Sequence, residues 1–256
     1  MATVHLNGID IHYEDQGAGF PVLLTHGYAA STRMWQGQVA PLTEKYRLIT
    51  WDMRGHGQTD SPDALDAYSE AATVEDMASL LRHLGVERAV VGGLSLGGYM
   101  SLAFNLAHPE MVQALIICDT GPGYRNPESR GRWNESAIAR AERLEAQGFG
   151  ALGSSPEVQA TAATHRSALG LAKAARGMLT QVDARVIEGL ERIAVPTLLI
   201  VGDKDTPFLN GHDFMSKLIP NVRHVIIPDA GHASNIDQPE VFNRTALDFL
   251  AEVVPA

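Results

Sequence analysis

A serine set among glycines carries the first chemistry in this chain. In Val90-Val91-Gly92-Gly93-Leu94-Ser95-Leu96-Gly97-Gly98 an apolar strand pattern runs directly into Ser95 and then into a helical pattern. This is the G-x-S-x-G spacing of a nucleophile elbow. Such a turn forces its serine into a strained backbone angle, and glycine on either side leaves room for neighbouring chains to pass. Tyr99, Leu102, Ala103 and Leu106 follow at helical spacing and Pro109 stops the run, so a helix N-terminus sits beneath the serine and favours developing negative charge. A serine hydroxyl is a weak nucleophile at neutral pH and needs a base and an acid that orients the base. Both residue types occur downstream at strand ends. Val195-Pro196-Thr197-Leu198-Leu199-Ile200-Val201 leads into Gly202-Asp203-Lys204-Asp205, and His224-Val225-Ile226-Ile227 leads into Pro228-Asp229-Ala230-Gly231-His232. Serine, then aspartate, then histidine is the chain order that accompanies this elbow.

The elements that must position these groups alternate along the chain. A hairpin is expected around Asn7-Gly8, with Val4, Leu6, Ile9, Ile11 and Tyr13 apolar. Strands are expected at 21–25 and 46–51, with a helix from Met34 toward Leu42 between them. The next helix is expected to start at Thr73, capped by its hydroxyl with Asp76 three residues on, and to bury Met77, Leu80, Leu81 and Leu84. The last helix is expected to be capped by Asp237 with Glu240 and to bury Phe242, Ala246, Phe249, Leu250 and Val253. Near-continuous apolar strands alternating with helices imply a mainly parallel sheet covered on both faces. Residues 122–190 break this rhythm. They are alanine-rich, carry no strand pattern, and offer helix starts at Ser155-Pro156 and Asp183 with breaks at Gly148-Phe149-Gly150 and Gly153.

With these motifs in order, the chain resembles the α/β-hydrolase fold superfamily, in its serine hydrolase branch, along nearly its whole length. Leu24-Thr25-His26-Gly27-Tyr28 looks like the family's first oxyanion loop. Trp51-Asp52-Met53-Arg54-Gly55-His56-Gly57-Gln58-Thr59-Asp60 resembles its D-x-R-G-x-G-x-S segment, with Thr59 where serine is usual. The resemblance implies an α/β fold with an eight-stranded, mainly parallel sheet and helices on both faces. It divides the chain into a core of residues 1–121 and 191–256 and a helical cap of residues 122–190 inserted after the sixth strand. It makes Ser95 the nucleophile, His232 the base and Asp205 the acid, and it gives the oxyanion hole to the backbone N–H groups of Tyr28 and Leu96. Asp203, nearer the strand end, and Asp119, at an acid position used by some relatives, are the competitors for Asp205. Asp203 is expected to bond its own turn and Asp119 to order the Thr120-Gly121-Pro122 exit, while Asp52 and Arg54 hold their loop together. Tyr28, Arg125, Trp133 and His165 are the candidate substrate contacts.

Composition narrows the class further. At 256 residues and 45% hydrophobic the chain can bury a substantial core, and a net charge of −10 disfavours a nucleic-acid binder. The single cysteine, Cys118, lies in an apolar run and is expected to be a buried small hydrophobe. No H-x-x-x-H, H-E-x-x-H or cysteine pair offers metal-ligand spacing, and the elbow glycines lack both G-x-G-x-x-G spacing and a Walker lysine, so neither metal nor cofactor is expected. The N-terminal stretch lacks a charged start and an apolar run, and no segment reaches membrane-span length, which leads us to expect a cytoplasmic monomer or homodimer. Of ten histidines, only His232 stands in a glycine-containing loop between a late strand and a terminal helix.

The expected activity is acyl transfer to water on a small or medium carboxylic ester, lactone or thioester, as in the carboxylesterases and enol-lactonases the chain resembles. The chain has no His-Gly-Gly-Gly run, no proline after His26-Gly27 and no aspartate nucleophile, which disfavours the triple-glycine esterases and the epoxide hydrolases. A carbon–carbon bond hydrolase or perhydrolase could use the same triad, and a ligand receptor on a hydrolase scaffold is the alternative of another class. Arg125, Arg130 and Arg132 are expected to form a solvated, salt-bridged surface, against the rival reading of Arg125 as a carboxylate contact.

Overall fold

The structure, a computed structural model, describes residues 2–254. Met1, at the head of the expected N-terminal core segment, and residues 255–256, at the tail of the second, lie outside the described residues. Eight strands form one sheet in the order β1-β2-β4-β3-β5-β6-β7-β8. β1 (Ala2–Leu6) and β2 (Ile9–Gln16) make the expected hairpin through Asn7 and Gly8, both at positive φ, and β2 pairs antiparallel with β4 (Tyr46–Trp51). All remaining pairs are parallel: β3 (Phe20–Thr25), β5 (Ala89–Leu94), β6 (Val112–Cys118), β7 (Thr197–Gly202) and β8 (Val222–Ile227).

Alternation within the strands divides the core in two. Leu23, Ile49, Val91, Leu115, Ile117 and Leu199 face one side, packed by the helices α2 (Glu70–His83) and α3 (Leu96–Ala107). Val22, Leu24, Leu48, Val90, Ile116, Leu198 and Ile200 face the other, against Trp35 and the C-terminal helix residues Phe242, Phe249 and Leu250. The central strands β3 to β7 are therefore apolar on both faces, as a parallel sheet between two helical layers requires.

Several helix boundaries differ from the expectations above. Before α1 (Gln36–Thr43) the chain makes a tight turn at Thr32–Trp35. The helix α2 (Glu70–His83) begins three residues before Thr73, because the Ser69 hydroxyl accepts from the Ala72 N–H and supplies the cap. Asp76 is thus not a capping partner. It is fully buried and receives the Arg54 guanidinium on both oxygens, at 2.5 and 2.9 Å. Arg54 therefore leaves its expected partner Asp52, whose carboxylate instead accepts the Thr32 and Gln58 N–H groups at 2.7 and 2.8 Å. Asp237 does not cap the last helix either, since it accepts the Gly231 N–H at 2.7 Å within the loop that carries His232.

The helix α3 (Leu96–Ala107) follows the elbow. Between β6 and β7 the chain forms helices: α4 (Pro127–Gln147), α5 (Pro156–Thr161), α6 (Ala168–Ala174), which runs into a π-helical turn at Ala175–Leu179, and α7 (Arg185–Gly189). α8 (Thr206–Leu218), α9 (Ser234–Asp237) and α10 (Pro239–Val253) complete the chain. Among the described residues no helix is long and apolar enough to cross a membrane.

The Arg54–Asp76 pair ties the loop after β4 to α2 with both side chains out of water, so removing one partner strands the other's charge. Asp76→Ala is expected to cost about 3–5 kcal/mol in urea unfolding, the usual penalty for breaking a buried pair. A loss under about 1 kcal/mol, the range of an exposed pair, would contradict this role.

Candidate active site

The sheet itself creates the crevice. From β3 the chain moves outward to β4 and then returns to the other side of β3 to form β5, so the winding direction reverses between β3 and β5. In open parallel sheets the carboxyl ends at such a reversal leave a cleft for ligand. Here the loop after β3 carries Tyr28 and the turn after β5 carries Ser95. Asp119 follows β6, Asp205 follows β7 and His232 follows β8, so every residue in question lies at the same edge of the sheet.

Ser95 sits at φ 55°, ψ −116°, a strained conformation for a residue with a side chain, and it is the one position in 91–100 that is not buried. The strain holds because the backbones around it interlock. A Cβ on Gly93 would stand 2.5 Å from the Thr25 carbonyl oxygen, and one on Gly97 would collide with the Thr25 and His26 carbonyls. Leu96 opens α3, so its N–H has no carbonyl one turn back and is free to receive charge.

The loop after β3 is pinned from several sides. His26 is buried, accepts the Met53 N–H at Nε2 and donates from Nδ1 to the Gly27 carbonyl at 2.6 Å. Burial pushes its pKa down to about 3, which keeps it in the neutral form that this double role needs. Ala29 takes φ 57°, and its carbonyl accepts from His165 Nε2 at 2.9 Å while His165 Nδ1 accepts the Gly57 N–H at 3.0 Å. Both nitrogens of His165 are thereby used. It is a buried link between the helical insertion and this loop, which corrects its reading as a substrate contact. Tyr28 donates its hydroxyl to the Leu171 carbonyl at 3.0 Å, a second link of the same kind.

Asp205 and His232 lie side by side. His232 Nδ1 lies 2.8 Å from Asp205 Oδ2, which leaves Nε2 bare on the cavity side. Asp205 is buried, whereas about a quarter of the His232 side chain is open. Burial pulls the His232 pKa down, but the hydrogen bond and charge of Asp205, with the charges of Glu157 and Asp119, outweigh it and leave the value above the ordinary 6.5. Phe208 stacks on the imidazole at 4.9 Å between ring centroids and 24° between planes, fixing the ring's orientation. Nothing in the sequence marked Phe208 beyond its place in the first turn after Asp205.

The competing acids take other roles. Asp203 is exposed and accepts the Ala230 N–H at 3.3 Å, so it bonds the loop after β8 and not, as expected, its own turn. Asp119 is fully buried at φ 47° and accepts both the Gly202 N–H at 2.9 Å and the Ser234 hydroxyl. It therefore bridges the strand that leads to Asp205 and the loop that carries His232. Burial pushes its pKa up to about 7 against the pull of those two hydrogen bonds.

Two connected hollows open on Ser95. One, about 280 Å³, is apolar and lined among others by Leu96, Tyr99, Met178, Ile187 and Phe214. The other, about 320 Å³, contains Tyr28, His232, Glu157, Arg140 and Arg143. Trp133, Leu179 and Phe208 border both, and the Trp133 indole donates to the Leu179 carbonyl at 2.7 Å. Trp133 and Tyr28 are thus at the cavity wall. Arg125 is not among the lining residues: it is exposed, with its guanidinium 5.9 Å from the Phe214 ring centre. Arg132 pairs with Glu128 and Arg130 donates to the Tyr124 carbonyl, so the three expected surface arginines are engaged outside the cavity. The arginines that do line it, Arg140 and Arg143, about two and three helical turns beyond Arg132 on α4, were not distinguishable by sequence from other exposed helix positions.

Comparison with known proteins agrees with this architecture. A family profile described as alpha/beta hydrolase fold matches residues 21–239. A 3-oxoadipate enol-lactonase of Acinetobacter baylyi is 30% identical, covering 91% of this chain and 89% of that protein. Among solved structures, a thermophilic esterase from Thermogutta terrifontis superposes with a TM-score of 0.83 at 30% identity, over 99% of this chain and 97% of the other. A hydrolase from Pseudomonas aeruginosa gives 0.81 at 28% identity, over 97% of both. The elbow, the reversal in the sheet and the profile spanning most of its length place this chain in the α/β hydrolase fold family.

Proposed function

We propose that the protein is a serine hydrolase that cleaves a small or medium carboxylic ester, with Ser95, His232 and Asp205 as its triad. The observation that carries this reading is the Asp205–His232 hydrogen bond at 2.8 Å, with the free face of that histidine and the strained Ser95 opening on one cavity. Helices 122–190 act as a cap that supplies most of the cavity wall.

The chemistry follows from the arrangement. His232 Nε2 takes the Ser95 proton as Oγ attacks the ester carbonyl carbon, and Asp205 holds the tautomer and stabilises the imidazolium. The carbonyl oxygen gains the electron pair and is held by the N–H groups of Tyr28 and Leu96. Collapse of the tetrahedral species breaks the carbon–oxygen bond, and His232 returns its proton to the departing alcohol. Water, deprotonated by His232, then releases the acid and restores Ser95. The apolar hollow suits the acyl chain. Esterase and enol-lactonase relatives at 30% identity support an ester-type carbonyl as the target.

Ser95→Ala is expected to lower kcat by roughly four to six orders of magnitude on a short-chain ester, as loss of a triad member does. Asp205→Asn is expected to be far more damaging than Asp203→Asn or Asp119→Asn, since only Asp205 holds the imidazole proton. Steady-state kinetics on the four variants check this, and Asp119→Asn as the worst of the aspartate variants would displace Asp205 as the acid.

The pH profile gives a separate check. His232 accepts a proton only when neutral, and its pKa is raised, so kcat/KM is expected to fall on the acid side with a midpoint above 6.5. Asp205→Asn, which removes the main group holding that proton, moves the midpoint of the residual activity downward. A midpoint well below 6.5 in the wild type would contradict the arrangement.

A further inference from the structure

The cavity holds a carboxylate that the proposed triad does not use. Glu157, on α5, is only 4% exposed. Its Oε1 accepts the Ser155 hydroxyl at 2.5 Å, while Oε2 is buried with no hydrogen-bond partner. A buried carboxylate oxygen left unpaired is costly, and in a folded chain such groups mark a place where another molecule supplies the missing donor. Glu157 lines the same hollow as Ser95 and His232. An ionised carboxylate has acceptor positions only, so its partner must be a donor.

The side of the cavity identifies that donor. His232 must protonate the departing oxygen, and His232 lines the hollow of Glu157 and not the apolar one, so the leaving group occupies the Glu157 side. Arg140 and Arg143 line that hollow as well and disfavour a cationic group there. A neutral hydroxyl fits both conditions. We infer that Glu157 is a specificity-determining residue that accepts a hydrogen bond from a hydroxyl on the leaving alcohol, so the preferred substrates are esters of diols or polyols. This rests on the ester-hydrolase reading of the site.

Two butyrate esters of equal heavy-atom count, propyl butyrate and 2-hydroxyethyl butyrate, test this on the full-length protein. Wild type is expected to favour the hydroxyethyl ester in kcat/KM by roughly tenfold or more, the size of one hydrogen bond to a charged group. Glu157→Leu is expected to abolish the preference, and Glu157→Gln, which keeps an acceptor without the charge, to retain part of it. A wild type that cleaves both esters equally overturns the inference while the ester reading stands. An equal loss on both esters in the Glu157 variants also overturns it, since it would mean that Glu157 acts through His232 or on the attacking water. Failure of wild type to cleave either ester overturns both readings. If thermal melting shows that the Leu variant is unfolded, the wild-type preference and its reduction in Glu157→Gln decide the question.

Discussion

The site depends on one close backbone crossing. The Thr25 carbonyl at the end of β3 passes so near Gly93 and Gly97 that a side-chain carbon at either position would collide with it. That approach brings the loop after β3 beside the turn after β5, where the sheet's winding reverses, and so packs Gly27 against Leu94 and Ser95. Larger residues would push β3 and the elbow apart and separate Ser95 from the loop that carries Tyr28 even with every other side chain retained. The strain at Ser95 is the cost of presenting its hydroxyl, and the packed sheet on either side holds it there.

A second layer of contacts stiffens this crossing with neutral and buried groups rather than exposed charges. His26 and His165 each use both ring nitrogens on backbone atoms, and burial keeps them uncharged. His165 and Tyr28 also join the helical insertion to the loop after β3, so the position of the helices and the geometry of the loop are coupled. Asp119 does the same on the other side by bridging Gly202 and Ser234, close to Asp205 and His232. Three carboxylates, Asp205, Glu157 and Asp119, thus act on one imidazole, and only Asp205 touches it.

What the sequence made legible follows from the range of each interaction. Strand-to-helix alternation, the elbow and the order of Ser95, Asp205 and His232 are local signals, written in apolar runs and glycine spacing, and they sufficed for the sheet and for the pairing of Asp205 with His232. Side-chain partners reached across the fold were harder. Asp76 looked like a cap three residues from Thr73, yet it pairs with Arg54 across two elements, because a fully buried carboxylate takes a cation when one is in reach. His165 and Arg125 looked like substrate contacts because they lie in the helical insertion, but which face of a helix meets a cavity depends on tertiary packing. Glu157 and Phe208 carried no motif at all. Their importance is a matter of position relative to His232, and that exists only in the folded chain.

The central claim is that Ser95 is the covalent nucleophile, and reaction with a fluorophosphonate tests it most directly. Peptide mapping by mass spectrometry is expected to place the adduct on Ser95, with no labelling of Ser95→Ala. An adduct on another residue with Ser95 unmodified would contradict the account.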